Sequence, residues 1–215
     1  LLPALANITL THAAVPVPTY YFSFNSPSWS ISTEAFFYLF YPLAILGFHW
    51  KPWIPFVAAA LGVAATIALS LGLGLPPFGQ ESLTRATSHG MMSISPLTCF
   101  LEFTCGMYAA TTWPFLKGCF AVSRARFTLL EAAAIALAAV SVIGFQDLGA
   151  ALEARQVPDA VTLWVRFHAS AISLGVLVLV LALDGGYITQ ALSWRPLVIL
   201  GEISFATYML HQLAI

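Results

Sequence analysis

Charge is the scarcest property of this sequence. Its 215 residues hold 8 Lys+Arg and 9 Asp+Glu, 8% in all, against 60% hydrophobic residues. A soluble globular domain carries about 25% charged residues, so a water-coated domain is excluded. A disordered segment is excluded by the high hydrophobicity, and a basic nucleic-acid binder by the net charge of −1. Cysteine is scarce as well. Cys99, Cys105 and Cys119 form no CxxC and no His/Cys run, so neither a metal site nor a redox motif is expected. The chain has no HExxH, no GxSxG and no Gly-rich phosphate loop, and no bound cofactor is expected. It lacks a starting Met, and residues 1–33 lack the basic start of a signal peptide. On those two absences it reads as a fragment.

What is present is long apolar sequence, with a mean hydropathy of +0.87. A membrane-crossing helix needs about 20 mostly apolar residues. Six stretches fit, at 30–50, 53–74, 95–113, 127–146, 164–183 and 197–215. The expected fold is therefore all-α, a polytopic bundle of about six spans with the lipid bilayer as its partner. Residues 1–28 differ. Pro3, Pro16, Pro18 and Pro27 argue against one continuous helix there. Leu1–Leu10 reads as the tail of an earlier helix and 11–28 as an extended or irregular flanking loop, leaving 29–215 as the bundle.

Loop charges suggest an orientation. Lys51, Lys117, Arg124, Arg126 and Arg195 fall in alternate loops and so share one side. Arg85, Arg155 and Arg166 fall on the other, with Glu81, Asp147, Glu153 and Asp159. The positive-inside rule puts the first group in the cytoplasm and residues 11–28 outside. Trp29, Trp50, Trp53, Trp113 and Trp194 stand near helix ends, where an aromatic belt would have them.

Glu34, Glu102, Glu131 and Glu202 fall in or near the spans. A carboxylate at membrane depth costs about 2.5–3.5 kcal/mol on insertion scales and usually faces a bundle interior or wet cavity. Ser30, Glu34, Tyr38 and Tyr41 recur at helical spacing and share one face. That face suits a polar substrate cavity, with Glu34 as a general base or as a group orienting one. The plainer alternative is a helix start capped by Ser28 or Ser30, with Glu34 favoured by the helix dipole. Glu102 sits mid-helix and needs a partner, with Gly106 one turn on to admit a neighbouring helix. Glu131 reads as a solvated or dipole-favoured helix end. Ser204, Tyr208 and His211 share a face of the last span. His168 reads as an interface residue, and His12, His49 and His89 as loop or helix-end residues without a role.

Three segments together carry a resemblance. Asn25-Ser-Pro-Ser-Trp29-Ser30-Ile-Ser-Thr-Glu34-Ala-Phe-Phe-Tyr38, continuing to Pro42, resembles the pattern N-x-P-S-W-S-L-S-x-E-x-x-F-Y-x-x-x-P. Ser95-Pro-Leu-Thr-Cys99-Phe-Leu-Glu102-Phe-Thr-Cys-Gly106-Met107 resembles N-P-L-x-R-L-x-E-F-x-x-G-M, with Cys99 in place of Arg. Leu200-Gly-Glu-Ile-Ser-Phe-Ala-Thr-Tyr208-Met-Leu-His211 resembles L-G-x-I-S-Y-x-x-Y-L-x-H. These patterns are those of the membrane-bound acyltransferase 3 family of bacterial O-acyltransferases.

The resemblance implies transfer of an acyl group, commonly acetyl, from acyl-CoA to a hydroxyl of a cell-surface carbohydrate or similar acceptor. It implies an integral protein of the bacterial cytoplasmic (inner) membrane and assigns the base to a His on the family's first membrane helix. No such segment occurs here. By that comparison the chain lacks the first three of about ten spans and the last, and does not turn over alone. Glu34 would orient that His or share its proton. Asn25, Trp29, Ser30 and Tyr38 would shape the acceptor mouth, Glu102 would line the core, and Tyr208 and His211 would border the acyl path. A proton-coupled transporter or flippase-like protein is the alternative reading of the same intramembrane carboxylates, and an inactive structural membrane fragment is the alternative reading of the absent His segment and the truncated last helix.

Overall fold

The computed structural model describes residues 1–119 and 122–211. Helices make up the fold, and no strand occurs among the described residues. The all-α expectation holds. In order they are α1 (Leu2–Ile8), α2 (Pro18–Tyr21), α3 (Trp29–Trp50), α4 (Ile54–Gly72), α5 (Pro96–Leu116), α6 (Arg124–Ala154), α7 (Asp159–His168), α8 (Ala171–Ala182), α9 (Tyr187–Leu192) and α10 (Arg195–Leu210).

Among the described residues, four stretches of helix are long and apolar enough to cross a membrane: Ser26–Trp50, Ile54–Gly72, Arg124–Ala154 and Asp159–Ala182. The other two expected spans, 95–113 and 197–215, correspond to α5 and α10. α5 has the length, but Glu102 and four threonines dilute its apolar character. α10 has 16 described residues, short of a full crossing, and residues 212–215 of that placement lie outside the described ones. A count of six is therefore not what the helices themselves give.

Two boundaries differ for clear reasons. The 127–146 stretch is part of a 31-residue helix, about 46 Å long. Ala150, Ala151, Leu152 and Ala154 are strong helix formers, and no proline intervenes before Pro158. Contacts with α7 hold that extension: the Arg166 guanidinium pairs with Glu153 at 2.5 Å, and Gln146 donates to the Arg166 carbonyl. The 164–183 stretch starts earlier, at Asp159 just after Pro158, and breaks at Ala169–Ser170, which leaves His168 at a helix end.

Residues 11–28 are folded rather than extended. They form tight turns over His12–Ala14 and Ser26–Ser28 around α2. Their backbone needs partners, which the 76–95 segment supplies: Thr19 N–H donates to the Leu83 carbonyl and Thr87 N–H to the Pro16 carbonyl. Gly90 makes this approach possible, since a Cβ there would lie 2.6 Å from the Pro16 oxygen. Ala13, Tyr21 and Ile94 form the apolar centre of the junction, with Phe22 and Trp29 against it.

The helices alternate in direction and bring the loops to two ends. At one end stand residues 1–28, the 73–95 segment, the start of α7 and the end of α10. Asn25 Nδ2 donates to the Met209 carbonyl at 3.0 Å there. At the other end Trp113 Nε1 donates to the Ala182 carbonyl and Arg124 donates to Gln190. Lys51, Lys117, Arg124, Arg126 and Arg195 all fall on this second end.

Aromatic rings and small residues hold the bundle together. Phe37 stacks on Phe103 with centroids 4.8 Å apart, tying α3 to α5. α5 meets α8 at Gly175, whose added Cβ would stand 3.4 Å from Cys105 Cβ. Gly106, expected at a close helix crossing, faces open space instead and borders a cavity of about 400 Å³ between α5 and α8.

Candidate functional site

The first motif begins as a turn and continues as α3. Pro27 sits within the Ser26–Ser28 turn and starts the descent into the helix. Neither serine caps it in the expected way. Ser28 Oγ lies 3.2 Å from His12 Nε2, and Ser30 Oγ donates back to the Pro27 carbonyl at 2.9 Å. His12, read from sequence as without a role, is fully buried under the motif, its Nδ1 facing the Ala6 carbonyl at 3.4 Å. Ser32 and Thr33 continue the anchoring, Ser32 donating to the Leu10 carbonyl and Thr33 to the Ile94 carbonyl. Ser32 and Thr33 thus tie one face of the motif to neighbouring carbonyls.

The opposite face is open. Glu34 lies beyond the first turn of α3, about 8 Å along the helix from Trp29. Tyr38 Oη donates to Glu34 Oε1 at 2.8 Å, the i,i+4 contact that the spacing predicts. Both side chains are exposed, as is Tyr41. Asn25, at the head of the motif, bridges to α10 through Met209, while its Oδ1 is buried without a partner. Trp29 packs into the junction cluster.

Glu102 has a partner that sequence spacing does not reveal. His168 Nδ1 lies 3.0 Å from Glu102 Oε1, and His168 Nε2 lies 2.5 Å from the Met92 carbonyl. The histidine is 3% exposed, while 43% of the Glu102 side chain remains accessible. Cys99, one turn before Glu102, joins this group: its sulfur, a Glu102 oxygen and a His168 nitrogen all lie within 4.8 Å of one another. The expectation that no His/Cys cluster forms is corrected here. The signal is absent from local sequence because 66 residues separate Glu102 from His168.

Glu131 is the other correction. It is fully buried, not solvated, and caps α9 from a distance. Its carboxylate accepts from the N–H groups of Gly186, Ile188 and Thr189 at 3.1, 3.0 and 3.3 Å and from the Thr189 hydroxyl at 2.5 Å. Gly186 is required there, because any Cβ would fall on that carboxylate. These contacts make Glu131 structural.

On α10, Ser204, Tyr208 and His211 line one open concavity of about 540 Å³ with Leu200, Ile203 and Thr207. His211 stands exposed at the helix end rather than deep in a span, its ring 5.8 Å from that of Tyr208. Its Nδ1 lies 2.5 Å from the Tyr208 carbonyl, so that nitrogen carries the proton. Glu202 is exposed. The cavity of about 520 Å³ at the basic end, bordered by Phe48, His49, Tyr108 and Thr111, lies away from Glu34 and Glu102.

His89 lies among Tyr21, Phe22, Phe78 and Phe167, with its Nδ1 buried and unpartnered. Burial pushes its imidazole below the usual histidine range. Burial likewise raises the Tyr21 phenol, against a smaller opposing effect of the Thr87 hydroxyl.

Residues 2–215 match the acyltransferase 3 family, whose description is an acyltransferase domain. The chain belongs to that family. No curated protein and no solved structure gives a match. Membership fixes an acyltransferase-type function, and with four apolar spans it makes the chain an integral membrane acyltransferase-type protein. The acyltransferase 3 match covers all three motif segments, and the structure places the first and third at the same end of the bundle, linked by Asn25 and Met209.

Proposed function

We propose that the protein transfers an acyl group, acetyl in the first instance, from acyl-CoA to a hydroxyl of a cell-surface carbohydrate in a bacterial inner membrane. The observation that carries the reading is the acyltransferase 3 match spanning a chain whose Glu34–Tyr38 pair lies on an open helix face.

The chemistry states what such a face must do. The acceptor hydroxyl attacks the thioester carbonyl, a C–O bond forms, the C–S bond breaks, and the hydroxyl proton passes to a base while the departing thiolate takes one up. A hydroxyl is a weak nucleophile and needs that base within hydrogen-bond reach. The base is the membrane-helix His that the family resemblance assigns. Glu34 orients it or shares its proton, and Tyr38, already bonded to Glu34, fixes the carboxylate's direction. Ser30 lies on the same face, and Asn25 and Trp29 shape the end where the acceptor enters. Glu102, held by His168, lines the core, and Tyr208 and His211 border the acyl path from α10. Five basic residues at the opposite end support a cytoplasmic position for that end, on the side of the acyl-CoA donor.

The test is acceptor-dependent release of CoA by membranes containing the whole gene product. Acyl label should appear on the carbohydrate, and Glu34→Gln should abolish transfer while leaving membrane insertion intact. Movement of an unmodified solute with no CoA released would contradict the reading.

A further inference from the structure

Pro96 is the starting point. In a regular helix the Met92 carbonyl would accept from the N–H four residues on, but residue 96 is proline and has none. Residues Gly90–Ile94 instead form a widened turn closed by Ser95 N–H to the Gly90 carbonyl at 3.0 Å. Turns of this kind occur often at functional sites. The Met92 carbonyl takes its donor from outside, and His168 Nε2 stands 2.5 Å away. A carbonyl can only accept, so Nε2 carries the proton.

That assignment leaves Nδ1 of a neutral ring as a bare lone pair. It points at Glu102 Oε1, 3.0 Å away, which is an acceptor when ionised. A cation between them, either a proton or a metal ion, would satisfy both. The third group at the spot is Cys99, 6% exposed, on the same face of α5 as Glu102.

We propose that Cys99 Sγ, Glu102 Oε1 and His168 Nδ1 form a binding site for a divalent metal of the zinc class. One sulfur, one imidazole nitrogen and one carboxylate oxygen are the donor types Zn²⁺ takes. A thiolate, a carboxylate and a neutral imidazole around a divalent ion sum to zero charge, which suits a low-dielectric interior. The Met92 carbonyl on Nε2–H is the outer partner that sets the tautomer and ring direction of a metal-bound histidine. Ligand atoms of a tetrahedral zinc site stand about 3.3–3.6 Å apart, given bonds of about 2.0–2.3 Å. The Glu102–His168 pair already lies closer than that, and the thiol must swing in by at most about 1.5 Å from within its 4.8 Å. It would give up a long contact to the Ser93 carbonyl, 4.0 Å away. Three protein ligands leave a fourth position, and the exposed side of Glu102 is where a water or substrate oxygen would reach it.

The test is titration of the chelator-treated, detergent-solubilised whole protein with Co²⁺, a spectroscopic substitute for Zn²⁺. One equivalent should produce a thiolate-to-cobalt charge-transfer band in the near ultraviolet and intense visible bands of tetrahedral geometry, both erased by Zn²⁺. Cys99→Ser, nearly the same size, should lose the charge-transfer band. Cys105→Ser and Cys119→Ser should keep it. Glu102→Gln should weaken Co²⁺ binding at least tenfold. Absence of the charge-transfer band in the wild type would overturn the site and leave a proton in the gap. Its survival in Cys99→Ser would overturn the ligand set.

Discussion

Removing the Glu131 carboxylate should unfasten one helix while leaving the bundle standing. Glu131→Ala deletes the acceptor of three N–H groups, on Gly186, Ile188 and Thr189, and of the Thr189 hydroxyl. The hydroxyl has a second acceptor 3.4 Å away in the Leu181 carbonyl. The three amides have none, and an unsatisfied buried donor costs about 1–3 kcal/mol. α9 lies at the basic end with Tyr187 exposed, so it can swing into water and recover part of that loss. The net penalty should be about 3 kcal/mol, and Glu131→Gln, which keeps one acceptor oxygen, should cost about 2 kcal/mol. At about 1.4 kcal/mol per tenfold, the alanine variant's amide exchange at residues 186–189 should accelerate by roughly 100-fold. The amides of α4 and α5 should keep their protection. Exchange at 186–189 altered by less than about threefold would refute the capping role, because it would mean that the carboxylate adds almost nothing to holding α9.

Other perturbations follow from the same contacts. Gly90→Ala should destabilise the junction by about 1–3 kcal/mol, seen as a lower Tm in detergent, because its Cβ would press on the Pro16 backbone. Asn25→Ala should free the end of α10 from the first motif and speed amide exchange at residues 205–210, with α3 to α8 unchanged. His89 should make stability depend on pH. Its folded value lies below the unfolded one of about 6.5, so the unfolded chain binds the extra proton first. Stability then rises with pH between those two values, and acidification from neutral pH lowers it. His89→Phe should flatten that slope in thermal unfolding measured across mildly acidic pH.

Local signals were legible in the sequence and distant ones were not. Apolar runs located α3, α4 and α6 because a helix that faces lipid must be apolar over its whole length. The Glu34–Tyr38 contact was readable because four-residue spacing fixes it within one helix. The Glu102–His168 contact depends on a carbonyl orphaned by Pro96 and a helix break at Ala169, and no periodicity joins those events. Glu131 misled because a carboxylate near a helix start ordinarily serves its own helix, whereas here it serves one that begins 56 residues later. The ends of α6 and α7 moved because pairing of Arg166 with Glu153 extends both helices beyond the apolar stretch.

The central claim is acyl transfer dependent on Glu34. The most direct measurement is the rate at which labelled acetyl passes from acetyl-CoA to membrane-associated carbohydrate in membranes carrying the whole gene product, for wild type, Glu34→Gln and Tyr38→Phe. The wild type should transfer acetyl, Glu34→Gln should show none above background and Tyr38→Phe a reduced rate, with all three inserted at equal levels. Transfer by Glu34→Gln at the wild-type rate would contradict the claim.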